Sequence, residues 1–254
     1  MKVEIWSDVA CPWCYIGKRR FEAALAHFTH REQVEVTWRS YQLDPGAPRD
    51  SGKRVNEILS QKYGVSLSQA VAMNERVSAI AAQEGLEYHL EQAKYGNTFD
   101  AHRLIHLAAT HRLQEEAEER LFKAYFTEGR VLGDAETLVQ LVSELGIDAD
   151  EARTVLNSDA YADEVRADEQ RARAFGIGGV PFFAVDEKYG VSGAQPPEVL
   201  GEVLEQAWAE SHPLIQVGRA PQNEAGSCDG ESCAISEIDE RENHALGNRR
   251  EVTG

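Results

Sequence analysis

Positive charge is in short supply in this chain: 26 Lys and Arg stand against 43 Asp and Glu, leaving a formal net charge of −17 over 254 residues. That balance argues against binding nucleic acid or anionic membrane surfaces, which need basic patches. No apolar run approaches the ~20 residues of a membrane-spanning helix. The opening segment, Met1-Lys2-Val3-Glu4-Ile5-Trp6-Ser7-Asp8, lacks the basic stretch and long apolar core of a secretory leader. A cytoplasmic protein is the expectation. Internal repeats and long low-complexity runs are also missing. Cysteine is scarce, with four residues, and no second Cys-x-x-Cys exists at zinc-ribbon or zinc-finger spacing. Hydrophobic residues at 42% and charged residues at 27% are those of an ordinary globular protein with a sizeable core.

What the chain does have is Cys11-Pro12-Trp13-Cys14, set between a short apolar run and a long amphipathic stretch. Val3 to Trp6 reads as a first strand. Tyr15 to His30 carries Ile16, Phe21, Ala24, Leu25 and Phe28 at helical spacing. The dithiol therefore falls at a strand-to-helix junction. There the unpaired N–H groups and the positive end of the helix dipole stabilise a thiolate on Cys11, the form that attacks disulfides. Pro12 suits the first helical turn, where its missing N–H costs nothing. Cys14, one turn along, is in reach of the first sulfur and more shielded. Trp13 between them is exposed by geometry. A structural staple across so small a loop would stabilise little, and in the cytosol a dithiol is more often catalytic or sensing than structural.

Val34 to Tyr41 alternates β-branched, aromatic and polar residues and reads as a second strand, parallel to the first through the helix. Between about Ser51 and Gly176 only helical patterns are expected: Val55 to Tyr63, Ser68 to Glu84, Phe99 to His111, Glu115 to Phe126, Ala135 to Leu145, and Glu151 to Phe175 in one or two pieces. Strands return at Pro181 to Val185 and Tyr189 to Ser192, joined by a turn at Asp186-Glu187-Lys188. Pro196 to Trp208 closes with a helix. This divides the chain into a core of residues 1–50 and 177–210, an inserted helical domain of 51–176, and an extended tail of 211–254.

Ser7-Asp8-Val9-Ala10-Cys11-Pro12-Trp13-Cys14-Tyr15-Ile16-Gly17 and Gly178-Gly179-Val180-Pro181-Phe182-Phe183 resemble the FrnE-like branch of the DsbA-like thioredoxin-fold family. Asn97-Thr98-Phe99-Asp100-Ala101-His102-Arg103-Leu104 resembles a segment of that family's helical domain. The resemblance covers about residues 3 to 210. It implies an α/β thioredoxin fold with a large helical insertion, and a protein disulfide oxidoreductase or isomerase. Cys11 would attack and Cys14 resolve, with no organic cofactor and no metal. Substrates would be protein thiols and disulfides, with glutathione or a thioredoxin-type protein as reductant and a role in thiol redox homeostasis or oxidative stress. It also implies that Pro181 is cis and faces the dithiol, leaving the Val180 backbone free for an extended substrate. Read from the residues alone, Pro181 is equally a proline that starts a strand.

Cys228-Asp229-Gly230-Glu231-Ser232-Cys233 lies outside the family core. The Asp-Gly turn can bring its sulfurs together, and its acidic neighbours slow attack at neutral pH. It reads as an auxiliary redox pair modulating the first, or as an inert surface disulfide. Two other functions stay open. Kappa-type glutathione transferases and hydroxychromene-carboxylate isomerases share the architecture but have Ser at the position of Cys11. A zinc-holding redox sensor would use all four cysteines. Several other groups have plain structural readings. His102 and His106, four apart among Leu104, Ile105 and Leu107, are expected to be core or domain-interface histidines. Asp8 caps a loop. His27 and His30 end a solvated helix, and Glu115 to Arg120 form an exposed acidic first turn.

Overall fold

The computed structural model describes residues 1–213, of which Met1–His212 pack as one compact body. Its centre is a four-stranded sheet in the order β2-β1-β3-β4. Strand β1 (Lys2–Ser7) runs parallel to β2 (Glu35–Ser40), with Ile5 opposite Trp38. It runs antiparallel to β3 (Phe182–Val185), with Ile5 opposite Phe183. The hairpin to β4 (Tyr189–Ser192) turns through Asp186 and Glu187, both at positive φ, and closes with Lys188 N–H donating to the Val185 carbonyl at 3.0 Å.

The period of two in β1 sorts its side chains between two layers. Val3 and Ile5 pack with Phe21 and Ala24 of α1 (Pro12–His27) and Phe28 just past its end, and with Leu200, Leu204 and Ala207 of α9 (Pro197–Ser211). Trp6 points the other way, against Ala172 of α8 (Ala162–Ala174), Ile177 and Ala184. Its indole N–H donates to the Asp168 carbonyl at 3.0 Å. His30 does not sit at a solvated end as expected: its ring stacks on Trp208 with 4.0 Å between centroids, because α9 runs alongside α1.

The chain between β2 and β3 is helical: α2 (Val55–Tyr63), α3 (Leu67–Gln83), α4 (Phe99–Thr110), α5 (Gln114–Phe126), α6 (Ala135–Ser143), α7 (Ala149–Leu156) and α8. Side chains cap the starts of α3 and α7. Ser66 and Gln69 exchange side-chain and backbone hydrogen bonds as a capping box, and Asp148 accepts from the N–H groups of Asp150 and Glu151. The last pattern splits in two because Tyr161 takes a left-handed conformation at φ 62. The acidic start of α5 is not wholly exposed. Glu118 lies on the same face as Leu121, Phe122 and Tyr125, at helical spacing, and is buried with them. Glu119 is half-buried and pairs with Arg19 and Lys18 of α1.

Candidate active site

The turn between β1 and α1 carries the dithiol. Asp8 builds it, as the loop cap expected: its carbonyl accepts from Cys11 N–H at 2.8 Å, and its carboxylate accepts from Ala10 N–H at 3.2 Å and Leu43 N–H at 2.7 Å. Cys11 is the N-cap residue of α1, in extended conformation, and Pro12 opens the helix. Cys14 N–H donates to the Cys11 carbonyl at 3.0 Å. Both thiols are free and largely covered, Cys11 at 4% exposure and Cys14 at 1%. Burial pushes the Cys14 thiol well up, and the neighbouring Cys11 sulfur pushes the same way. The Asp8 backbone N–H and the Ser7 hydroxyl oppose them.

The two sulfurs differ in what they face. Cys11, with Pro12, Trp13 and Val180, lines a cleft of about 390 Å³, and Cys14 does not. The other walls come from the insertion and the loop before it: Leu43, Val55, Ile58, Leu59, Met73 and Val77. Trp13 stands at the rim, 38% exposed. The Cys11 thiol is 3.6 Å from the Val180 carbonyl, and the Val180–Pro181 peptide bond is cis. Pro181 is not a wall of the cleft; it packs behind, on Gly17 of α1. A Cβ at Gly17 would lie 2.9 Å from Pro181 Cγ, so only glycine admits this approach. Pro12, Trp13 and Val180 thus gather at Cys11, and Pro181 lies behind them against α1. Cys228 and Cys233 lie outside the described residues.

Sequence patterns gave no hint of Tyr88. It sits in the loop between α3 and α4, its hydroxyl donates to the Pro12 carbonyl at 2.8 Å, and its ring stacks on Phe126 at 4.7 Å. Burial and the nearby sulfurs push its phenol well up, so it stays a donor. Arg20 ties the same face together, donating to Glu84 and to the Ala194 carbonyl, both at 2.6 Å. His106 bridges Ser40 and Asp168 at 3.2 and 3.1 Å, a structural role as expected. No group of three or more His, Cys, Asp or Glu side chains is placed to hold a metal ion among the described residues, and none of their helices is long and apolar enough to cross a membrane.

A strand, a dithiol at a helix start, a helical insertion, then a cis-proline hairpin and closing helix define a known arrangement, and the family model described as the DSBA-like thioredoxin domain matches residues 2–205. The chain belongs to that family. A probable DsbA oxidoreductase from Streptomyces coelicolor is 48% identical, with 92% of this chain and 99% of that one covered and a TM-score of 0.81. At lower identity the fold is shared with the cytosolic disulfide reductase DsbM from Pseudomonas aeruginosa, a protein also solved with GSH (16% identical, 83% and 100% covered, TM-score 0.59). It is shared too with a 2-hydroxychromene-2-carboxylate isomerase (16%, 83% and 98% covered, TM-score 0.64). The DsbA-like family makes this protein an oxidoreductase of the thiol–disulfide class.

Proposed function

We propose that this protein is a cytoplasmic thiol:disulfide oxidoreductase acting on polypeptide substrates, with Cys11 as nucleophile and Cys14 as resolving thiol. The observation that carries the reading is the asymmetry of the pair: Cys11 opens on the cleft beside the Val180 backbone, and Cys14 is shut behind it. In the reducing direction the Cys11 thiolate attacks one sulfur of a substrate disulfide. A Cys11–substrate disulfide forms and the other substrate sulfur leaves as a thiolate. Cys14 then loses its proton to solvent and attacks Cys11 Sγ. The Cys11–Cys14 disulfide forms, and the second substrate thiolate departs. The dithiol carries both electrons, so no organic cofactor enters the cycle. Glutathione or a thioredoxin-type protein would restore it, with thiol redox homeostasis under oxidative stress as the setting.

The cleft supports a substrate segment lying along the Val180 backbone with apolar side chains against Ile58, Leu59, Met73 and Val77. The high position of the Cys14 thiol supports its role as the slower, second thiol, since a thiol attacks as its thiolate. A cysteine pair, where glutathione-dependent isomerases of this architecture have a serine, favours exchange over isomerisation of a small aromatic substrate.

Insulin reduction and refolding of scrambled substrates test the assignment. Cys11→Ser should abolish both activities, and Cys14→Ser should accumulate Cys11-linked mixed disulfides. Retention of most activity by Cys11→Ser would overturn the assignment of the nucleophile. An equilibrium with reduced and oxidised glutathione then fixes the direction in which the pair runs.

A further inference from the structure

Beneath the dithiol turn lies a group of buried ionisable side chains that the exchange reaction does not use. His102 of α4 is 0% exposed, and neither of its ring nitrogens has a hydrogen-bond partner. Its Nε2 stands 3.7 Å from Asp8 Oδ1, too long for a hydrogen bond but close enough for an ion pair. Asp8 is itself buried, and its carbonyl and carboxylate meet the dithiol turn and the loop beside it. The carbonyl holds Cys11 N–H, and the carboxylate holds Ala10 N–H and Leu43 N–H. A buried carboxylate needs a counter-charge, and His102 is the cationic group that faces it.

We propose that His102 is a positioning residue for the dithiol, acting through Asp8: the imidazolium holds the buried carboxylate in place, and Asp8 in turn fixes the geometry of Cys11 and Cys14. This rests on the exchange reading above. The charged groups that act on the His102 ring are Asp8 from the β1–α1 turn, Glu118 from α5 and Glu169 from α8. Lys18 of α1 acts in turn on Glu118, and Asp8 on the Tyr125 phenol. Burial disfavours the charged ring, but the surrounding carboxylates outweigh it and raise His102 above its ordinary value. The sign follows. The native protein keeps this proton at pH values where a free histidine has lost it, and the hold on Asp8 disappears as pH rises through the raised value.

The step affected is closure, in which Cys14 gives its proton to solvent, attacks Cys11 Sγ of the mixed disulfide and expels the bound thiolate. A single-turnover reaction with 5,5′-dithiobis(2-nitrobenzoate) resolves it, in the full-length chain carrying Cys228→Ser and Cys233→Ser so that only the first pair reacts. The first chromophoric thiolate reports attack by Cys11, the second reports closure by Cys14. His102→Asn should slow the second release on the order of ten- to a hundredfold at pH 6, as misplacement of reacting atoms does. The ratio of parent to variant should fall toward one by about pH 9, where the parent has lost the same charge. In an Asp8→Asn background, His102→Asn should cost less than about twofold, because the ion partner is already gone.

A ratio that stays constant with pH, or penalties that simply add, would overturn the inference. Should His102→Asn fail to fold, Asp8→Asn alone still decides: the ratio of parent to Asp8→Asn closure rates should be large at pH 6 and fall as pH rises, and a ratio constant with pH refutes the proposal. A Cys11→Ser control separates the two claims. If Cys14 alone then releases the first equivalent at the parental rate, the exchange reading itself falls. An inert Cys11→Ser beside an unaffected His102→Asn sinks the positioning role alone.

Discussion

Replacing Glu118 by Gln should stabilise the protein in alkaline solution and leave it unchanged in acid. Burial drives the Glu118 carboxyl from its ordinary 4.5 up to about 7, the buried Asp8 adds to that, and His102 and Lys18 pull against it. In the unfolded chain the group loses its proton near 4.5, and in the native protein it keeps it to about 7. Between the two, native protein holds a proton that unfolded protein has released, so stability falls as pH rises across that window. The gap, at about 1.4 kcal/mol per pH unit, corresponds to about 3 kcal/mol once pH exceeds the native value. Glutamine matches the protonated acid in shape and never ionises, so Glu118→Gln removes that cost. At pH 8.5 its melting temperature should exceed that of the parent by roughly 6–12 °C, taking about 2–4 °C per kcal/mol for a protein of this size. At pH 4 the two should melt together. Thermal unfolding followed by circular dichroism at both pH values measures this. An offset independent of pH, or a variant less stable at pH 8.5, would refute the account of Glu118 as a carboxyl buried without a full counter-charge.

Three further outcomes follow from the site. Gly17→Ala forces the new methyl against Pro181 Cγ at 2.9 Å, so overpacking should cost about 1–3 kcal/mol and slow insulin reduction; a more stable variant would mean that α1 and the Pro181 loop yield freely. Tyr88→Phe keeps the stack on Phe126 but loses the bond to the Pro12 carbonyl, and urea unfolding should show a loss of about 1 kcal/mol. Cutting the chain after residue 212 should leave the melting of the Met1–His212 body intact and change the turnover of Cys11 between oxidising and reducing conditions. Equal rates with and without the tail would make Cys228 and Cys233 bystanders.

The elements legible in the sequence were those whose signal is local. The β1 run, Pro12 at a helix start and Asp8 as a loop cap each owe their structure to neighbours within a turn or two. The periodicity of Phe99 to Thr110 gave α4, and His106 fell in a packed interface as its apolar neighbours implied. The misses share a different origin. Glu118 reads as one acid among several until its face is aligned with Leu121, Phe122 and Tyr125, which lie at i+3, i+4 and i+7. Tyr88 reaches the dithiol turn from a position that only tertiary packing brings close, 76 residues from Pro12.

Strand β1 pairs with β3 across a gap that runs from Val3 to Val185, and Cys11 meets Val180 across nearly as long a stretch. On the ribosome the dithiol emerges first. At roughly 5–20 residues per second, some 170 further residues occupy roughly ten to thirty seconds before the Val180–Pro181 segment exists. During that interval Cys11 and Cys14 are bare thiols on an unfinished chain, without the cleft that Cys11 and Val180 line together. The late hairpin is therefore a commissioning step: the surroundings of the dithiol are finished only when synthesis of the body is almost complete.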